Sequence, residues 1–492
     1  PQAGALTRPA EAPSYLQNVV HHLARPPETR PVSAPHIALN RFGLGARPGE
    51  ALRLSDPRGW LLEQIEGSAP VLALEPIERD ETHGLLRTFL QAQRAQDQER
   101  LRALRQQAGR VNQAERANSL TTRITTDRPF AERWVAFWSN HLCVSALGGI
   151  REAMLAGAYE REAIRPHVFG RFEDMVLASA RHPAMLYYLD NAVSVGPDSP
   201  IVRRRSRAGG QRARERGLNE NYARELLELH TLGVKGGYTQ QDIIELARIL
   251  TGWSVRGPGF GGGRDTGPMG FQFAAMLHQP GTKTVLGRRY DEGENAGVRV
   301  TRDLARHPAT ARFLADKLAT HFIDDAPPAE AVDALEHQWR DTDGDLREVA
   351  RTLVQLDAAW DPSYRKFRTP QDWFVALLRA VGADEVGPNF PQILQQLRHP
   401  LWAPPSPRGF GDLRREWADS DALMNRAELA RSIARRAGRS AGGAGPSADI
   451  RPLATTMALD PGDPLPGVLS DTTIPVDERV ALAFAGPAFQ WR

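Results

Sequence analysis

The sequence predicts a mainly α protein, a multi-helix orthogonal bundle with a small β-hairpin element. Three observations carry this. Apolar residues recur at helical spacing along most of the 492 residues. Alternating strand–helix units are absent, which argues against doubly wound and (β/α)8 folds. The stretch 219–233, NENYARELLELHTLG, is apolar nearly all round, whereas a surface helix keeps one wide face polar.

Composition narrows the function classes. Hydrophobic residues make up 41% and charged residues 25%, the balance of a globular chain. No apolar run approaches the roughly 20 residues that span a bilayer. Basic and acidic residues number 62 and 59, and the excess is mainly arginine, so nucleic acid is not implied. The single cysteine, Cys143, excludes an intramolecular disulfide and Cys-rich zinc sites, and it reads as a small core residue. A start at Pro1 fits a processed chain, a cleaved tag or a trimmed piece equally well.

Taken in order, residues 1–35 form an N-terminal arm with a short helix at 14–23. A main helical domain covers 36–434, with inserted loops at 194–217 and 254–285. Residues 435–475 read as a Gly/Pro/Ala/Ser-rich linker, and 476–492 as a C-terminal helix packing back on the main domain. Asp56-Pro57 opens a helix. A long polar helix spans 83–118 and offers a partner contact or a solvated face. Trp134, Phe137, Trp138 and His141 then share helical spacing, and two amphipathic helices follow. The 194–217 loop is basic and Gly/Pro-containing. After the central stretch, Thr239 caps a helix with Asp242 in its first turn. The 255–270 segment is Gly-rich but lacks phosphate-loop spacing, so nucleotide binding is rejected. FQFAAMLHQPGTKTVLGRRY predicts a hairpin turning near Pro280-Gly281. Further helices fall at 296–305, 310–322, 329–340, 346–356 and 372–381. DTDGDLREV lacks the calcium-loop ligand set and reads as a helix start capped by Asp343 or Asp345. His182-Pro183 and His307-Pro308 read as helix boundaries whose imidazoles cap backbone groups.

The candidate chemistry centres on 219–233. On an α-helix Asn221, Glu225 and Glu228 share a face and His230 does not. Buried carboxylates are costly unless paired or used. Two of them on one face have pKa values pushed apart, which suits general acid–base catalysis. Glu225, Glu228 and His278 are therefore the catalytic candidates. His141, Asn191, Asn221, Trp253 and Lys283 are the substrate-binding candidates, with Lys283 placed to stabilise negative charge. The competing reading is an ion-pair network of Glu225 and Glu228 with Arg224, Arg248 or Lys283. No His-Glu-x-x-His signature appears; the cofactor is unknown, and a divalent metal held by His and carboxylates from several helices stays open.

Several segments, FWSNHLCVS, ARHPAMLYYLDN, NENYARELLELHTLGVKGGYTQQDIIELARILTGW, HQPGTKTVLG, LARHPATARFLADKLATHF, TDGDLREVARTLVQL and LWAPPSPRGFGDLRREW, together resemble the bacterial family named domain of unknown function 1800. The resemblance runs from about His36 to Arg492. It implies a mostly helical fold and an exported protein, periplasmic or secreted. It also implies a partner from the domain of unknown function 1501 family, which resembles sulfatases and alkaline phosphatases. It brings no reaction. Where the family often has His-Asp, this chain has His278-Gln279, so a role needing a carboxylate there is in doubt. Three expectations follow: a hydrolase- or lyase-like enzyme acting on an extracellular or envelope polymer, a non-catalytic scaffold or export accessory for the sulfatase-like partner, or a metal-dependent oxidoreductase.

Overall fold

The aromatic spacing of 129–141 builds the centre of the molecule. Pro129 sits in the first turn of the Pro129–His141 helix, where its missing N–H costs nothing. Phe130, Trp134, Phe137 and Trp138 are buried along it, and Phe322 packs against Phe130, Trp134 and Phe137 from the Pro308–Phe322 helix. Each such side chain contributes about 1.5–3 kcal/mol by leaving water. Trp134 Nε1–H, which burial would otherwise strand, donates to the Val168 carbonyl at 2.7 Å.

The computed structural model describes residues 33–207, 217–257, 269–440, 450–457, 459 and 463–492. Nearly all of the 1–35 arm with its 14–23 helix, residues 208–216 of the basic loop and 258–268 of the Gly-rich loop lie outside them. The architecture is mainly α, with two small two-stranded antiparallel sheets. Among the described residues, no helix is long and apolar enough to cross a membrane.

Helices lie at Glu294–Ala305, Pro308–Phe322, Ala329–Asp341, Leu346–Gln355 and Pro370–Ala380, within a few residues of the predicted spans. Their caps follow from side-chain chemistry. Thr239 and Asp242 form a reciprocal capping box. Asp345, rather than Asp343, accepts from the Arg347 and Glu348 amides. His182 Nδ1 and His307 Nδ1 accept from the Ala184 and Ala309 amides, each at 3.1 Å.

Four expectations are corrected. The polar helix of 83–118 is two helices, Arg79–Ala95 and Gln98–Thr125. Gln96 takes a left-handed φ of 54°, and Asp97 then caps the second helix by accepting from Arg100 N. That second helix is buried over 118–124, so it is a core element at its far end. The basic loop of 194–217 contains a helix, Pro200–Arg207. The hairpin turning at Pro280-Gly281 does not form. Trp253–Arg256 pairs with Gly270–Phe273, and Lys283–Val285 pairs with Arg288–Tyr290. The real turn is Leu286-Gly287, both with positive φ (50° and 74°), as a two-residue primed turn needs. Leucine is an unusual choice there. A tertiary bond holds it, because Leu286 N donates to Asp242 Oδ1 at 2.7 Å. Finally, the α-helix begun at Asn221–Glu225 winds into a π-helical turn over Leu226–His230, so α-helical spacing does not apply past Glu225.

Two large apolar clusters form most of the core, beside a small third one of Leu39, Ala46 and Ala51. One runs from Ile37 to Ala359. The other joins Leu120, Ile124 and Ala156 to the Pro370–Ala380 helix and the C-terminal elements, including Leu453, Leu465, Leu469 and Phe484. The end of the chain pairs antiparallel with 366–368, through Lys366 N to Arg492 O (3.0 Å) and Arg492 N to Lys366 O (2.8 Å).

A buried polar hub joins the clusters. Glu160 accepts from Arg165 (2.9 and 3.0 Å), Ser119 (3.3 Å), Ser139 (3.0 Å) and Trp402 Nε1 (2.8 Å), and Arg123 lies 3.5 Å away. Arg165 also forks onto Glu132. Burial works to raise the Glu160 pKa, but Arg165 and Arg123 outweigh it and hold the carboxyl below its ordinary range. Its contribution to stability is therefore complete above the unfolded carboxyl pKa and is lost as pH falls through the lower folded value. Glu160→Gln should cost about 3–5 kcal/mol, because Arg165 and Arg123 then keep their buried charge with one partner fewer. Urea unfolding at pH 7 measures this; a cost under 1 kcal/mol would reject the hub.

Candidate functional site

The helix at the centre of the sequence leaves its carboxylates partly exposed. Asn221 is exposed, and Glu225 and Glu228 are half-buried. Burial, then the neighbouring Glu228, raises the Glu225 pKa, while Arg224 lies 3.6 Å from Glu228. His278 and Lys283 do come together at 3.4 Å, but their atoms are spent on the backbone. His278 Nδ1 bonds the Thr251 carbonyl (2.7 Å), its Nε2 accepts from Gly293 N (3.0 Å), and Lys283 donates to the Gln279 carbonyl. Gln279 fixes Asp198 through its side chain. Asn191 ties the Leu250 and Trp253 carbonyls together, and Trp253 is fully buried. None of Glu225, Glu228, His278, Asn191, Asn221, Lys283 or Trp253 lines the main cavity; His141 does.

That cavity, about 570 Å³, opens at the seam between the two apolar clusters. This volume suits a small molecule or one unit of a polymer. Its walls come from the Pro129–His141 helix, the Pro308–Phe322 helix, the start of the Pro370–Ala380 helix and the loop 401–416. The loop is tied down by the first helix and the residues after it. Asn140 exchanges two bonds with the Phe410 backbone (2.8 and 2.9 Å), Ser145 donates to Pro404 O (2.7 Å), and the Cys143 thiol to Pro407 O (3.3 Å). Gly409 is required where the loop crosses. Its φ is +82°, and a Cβ there would meet the Asn140 carbonyl at 2.4 Å.

Two titratable pairs occupy one face of the Pro308–Phe322 helix, a turn apart. His321 Nδ1 lies 2.8 Å from Asp412 Oδ2. Burial works to raise the Asp412 pKa, but His321 beside it holds the carboxyl low, so it is an acceptor and Nδ1 carries the proton. Burial lowers the His321 pKa against the pull of Asp412, leaving a neutral ring whose Nε2 bears the lone pair. That Nε2 is buried with no hydrogen-bond partner. The second pair is Lys317 Nζ with His141 Nδ1 at 3.0 Å. His141 Nε2–H donates to the His230 carbonyl (3.1 Å), which leaves Nδ1 to accept from the lysine. Burial pulls the Lys317 pKa down to about 8 and that of His141 well below its ordinary value.

Several other charges at the wall are paired. Arg133 meets Asp372 at 3.0 Å, Arg408 meets Glu416 at 2.7 Å, and Asp325 meets Lys366. Among the described residues, Lys317 forms no ion pair with a carboxylate.

One cluster outside the cavity has metal-ligand composition. His83, Glu162 and His182 bring ligand atoms within 4.8 Å of one another. The capping bond decides its chemistry. Because His182 Nδ1 accepts from Ala184 N, the neutral ring carries its proton on Nε2, 3.6 Å from Glu162. That nitrogen has no lone pair to offer a metal, and Arg79 already occupies Glu162 Oε2 at 3.0 Å.

Lys317, His321 and Asp412 were missed as candidates although their segments were legible. Two signals pointed to them. Lys317 and His321 stand at i, i+4 beside the buried Leu314, Ala315, Leu318 and Ala319, and the chain has only four lysines among its 62 basic residues. Asp412 stands 91 residues from His321, so no local spacing joins them.

The family described as protein of unknown function (DUF1800) matches residues 37–491. No curated protein and no solved structure matches the chain.

Gly409→Ala should lose about 1–2 kcal/mol from the left-handed backbone alone, with the close approach to Asn140 adding to it. The displaced loop should expose the sole thiol, so Cys143 in the folded variant should react with a disulfide reagent that leaves the wild type untouched.

Proposed function

We propose that this chain, which belongs to the DUF1800 family of proteins of unknown function, is a hydrolase- or lyase-like acid–base enzyme with its reaction in the 570 Å³ cavity. One observation carries the reading: His321, a residue of the cavity wall one helical turn from Lys317, is oriented by Asp412 and keeps a buried Nε2 with no hydrogen-bond partner. His321 takes a proton from the substrate or from a water. Asp412 holds the ring in the tautomer that leaves Nε2 basic and stabilises the imidazolium that forms. Lys317 is placed to stabilise the charge left on the substrate. Phe137, Tyr159, Trp402 and Phe410 supply the apolar surface around it.

The catalytic role thus moves from Glu225, Glu228 and His278 to His321, Asp412 and Lys317. A polymer from outside the cell remains the substrate class we propose, presented to the cavity as a chain end or single unit. On the family resemblance alone, we also propose that the protein works in the periplasm or as a secreted protein, beside a sulfatase-like partner. Neither enters the chemistry of the cavity.

Screening the purified protein against esters, glycosides and small carbonyl compounds should yield a turnover that His321→Gln lowers on the order of 100-fold or more. The working form is the neutral imidazole, so activity should persist at neutral pH and fall as pH drops through a pKa below 6.5. Asp412→Asn removes the group that raises this pKa, and should move the acid limb to lower pH while reducing kcat. A profile insensitive to both substitutions would refute the assignment.

A further inference from the structure

We propose that Lys317 acts covalently: its amine condenses with a carbonyl group of the substrate to form an imine, which makes the cavity a site for aldehydes or ketones. The inference rests on the acid–base reading above and deepens it, by naming what Lys317 does and which substrate class follows.

Among the described residues, Lys317 lacks the carboxylate partner of an ordinary buried ammonium. A buried or half-buried ammonium normally has a carboxylate against it. Lys366, fully buried, has Asp325 and donates to the Asp412 carbonyl at 2.8 Å. Lys317 has His141 Nδ1, and that contact is made as well by a neutral amine as by an ammonium. Its direction is set from behind, since the other nitrogen of His141 already donates to the His230 carbonyl. The lysine lines the cavity, and although Asp412 favours its ammonium from a distance, burial outweighs that pull. Removal from water favours the uncharged amine, which is the nucleophile, and the pKa near 8 agrees with this.

The step balances without an external reagent. The amine lone pair of Nζ bonds to the carbonyl carbon as the C=O π pair moves to oxygen. Nζ then gives up both of its protons to that oxygen, relayed through the neighbouring His141 Nδ1. The oxygen departs as water while the C=N bond forms, so amine and carbonyl become imine and one water. His321, a turn along the same helix, is then the base for a proton on the carbon beside the imine, whose electron pair the imine nitrogen accepts once protonated by solvent. Proton abstraction beside a carbonyl is a lyase's first step.

The chain supplies its own controls. Lys235 is exposed and stands for an ordinary surface lysine. Lys283 is buried and also pulled down to about 8, but it does not line the cavity. It therefore separates the effect of a low pKa from that of an accessible wall.

Wild-type protein is incubated at pH 7.5 with propionaldehyde and sodium cyanoborohydride, and reduced adducts are mapped by peptide mass spectrometry. Adduct at Lys317 should form at least about tenfold faster than at Lys235, because a lysine of ordinary pKa near 10.4 is almost wholly protonated there. Lys283 should stay unlabelled. Labelling of Lys317 no faster than Lys235, or of Lys283 as fast as Lys317, overturns the proposal. His321→Gln should keep the Lys317 adduct, since trapping does not use that base. Lys317→Arg retains charge but cannot form an imine. Loss of the screened turnover in this variant supports the covalent role, and retained turnover overturns it while leaving His321 as the base.

Discussion

The carboxylate of Glu160 is the constraint on which the rest depends. It is 1% exposed, and it gathers Arg165, Ser119, Ser139, Trp402 and, at longer range, Arg123. These partners come from four separate stretches of chain. Ser139, Arg123 and Trp402 also line the cavity, so the bonds that stabilise the interior set the distance between its walls. A hydrophobic core of the same volume would fill the space, but it would not fix the indole of Trp402 against the helix that bears His141. Buried charge is a weak source of net stability. Here it accounts for geometry, with two arginines and two glutamates satisfying one another while the loop 401–416 is positioned above them.

The central helix also matters to the cavity, but by a different atom from the one its sequence suggests. Its carboxylates are half-buried, and Glu228 lies beside Arg224. Its contribution is the carbonyl of His230, at the end of the π-helical turn, where backbone acceptors run out of intrahelical donors. His141 satisfies that carbonyl with Nε2 and thereby presents Nδ1 to Lys317. A chain of bonds thus leads from the most recognisable stretch of the sequence to the lysine of the cavity wall. His230 itself is buried and held to a pKa of about 3, with burial the main cause, which leaves it a core residue.

The fold was legible where local chemistry governs. Thr239 with Asp242, Asp345, and the two His-Pro junctions all found their predicted backbone partners, because a cap is decided within four residues. The Trp134–Trp138 spacing likewise marked a buried helix. Prediction failed where a distant group overrode local preference. The turn at Leu286-Gly287 depends on Asp242, more than forty positions away. Pro280-Gly281, which has better turn residues, only bends the chain between two sheets. The break at Gln96-Asp97 was readable in principle, since aspartate before a polar helical run is a common cap, but the continuous polarity of 83–118 masked it.

By itself, the sequence determined the helical class, most helix spans and the family, because periodicity, caps and long contiguous motifs are properties of neighbouring residues. It also determined that His141 lies on a buried helix. Only the tertiary structure decided the site. His321 and Asp412, 91 residues apart, become a hydrogen-bonded pair when the 401–416 loop is drawn over two helices. Likewise, among the described residues, Lys317 has no carboxylate partner because the fold sets its Nζ beside His141 Nδ1 on the cavity wall. Proton affinity and pairing are set by surroundings in space, and in a helical bundle those surroundings come from segments whose order along the chain carries no trace of their meeting.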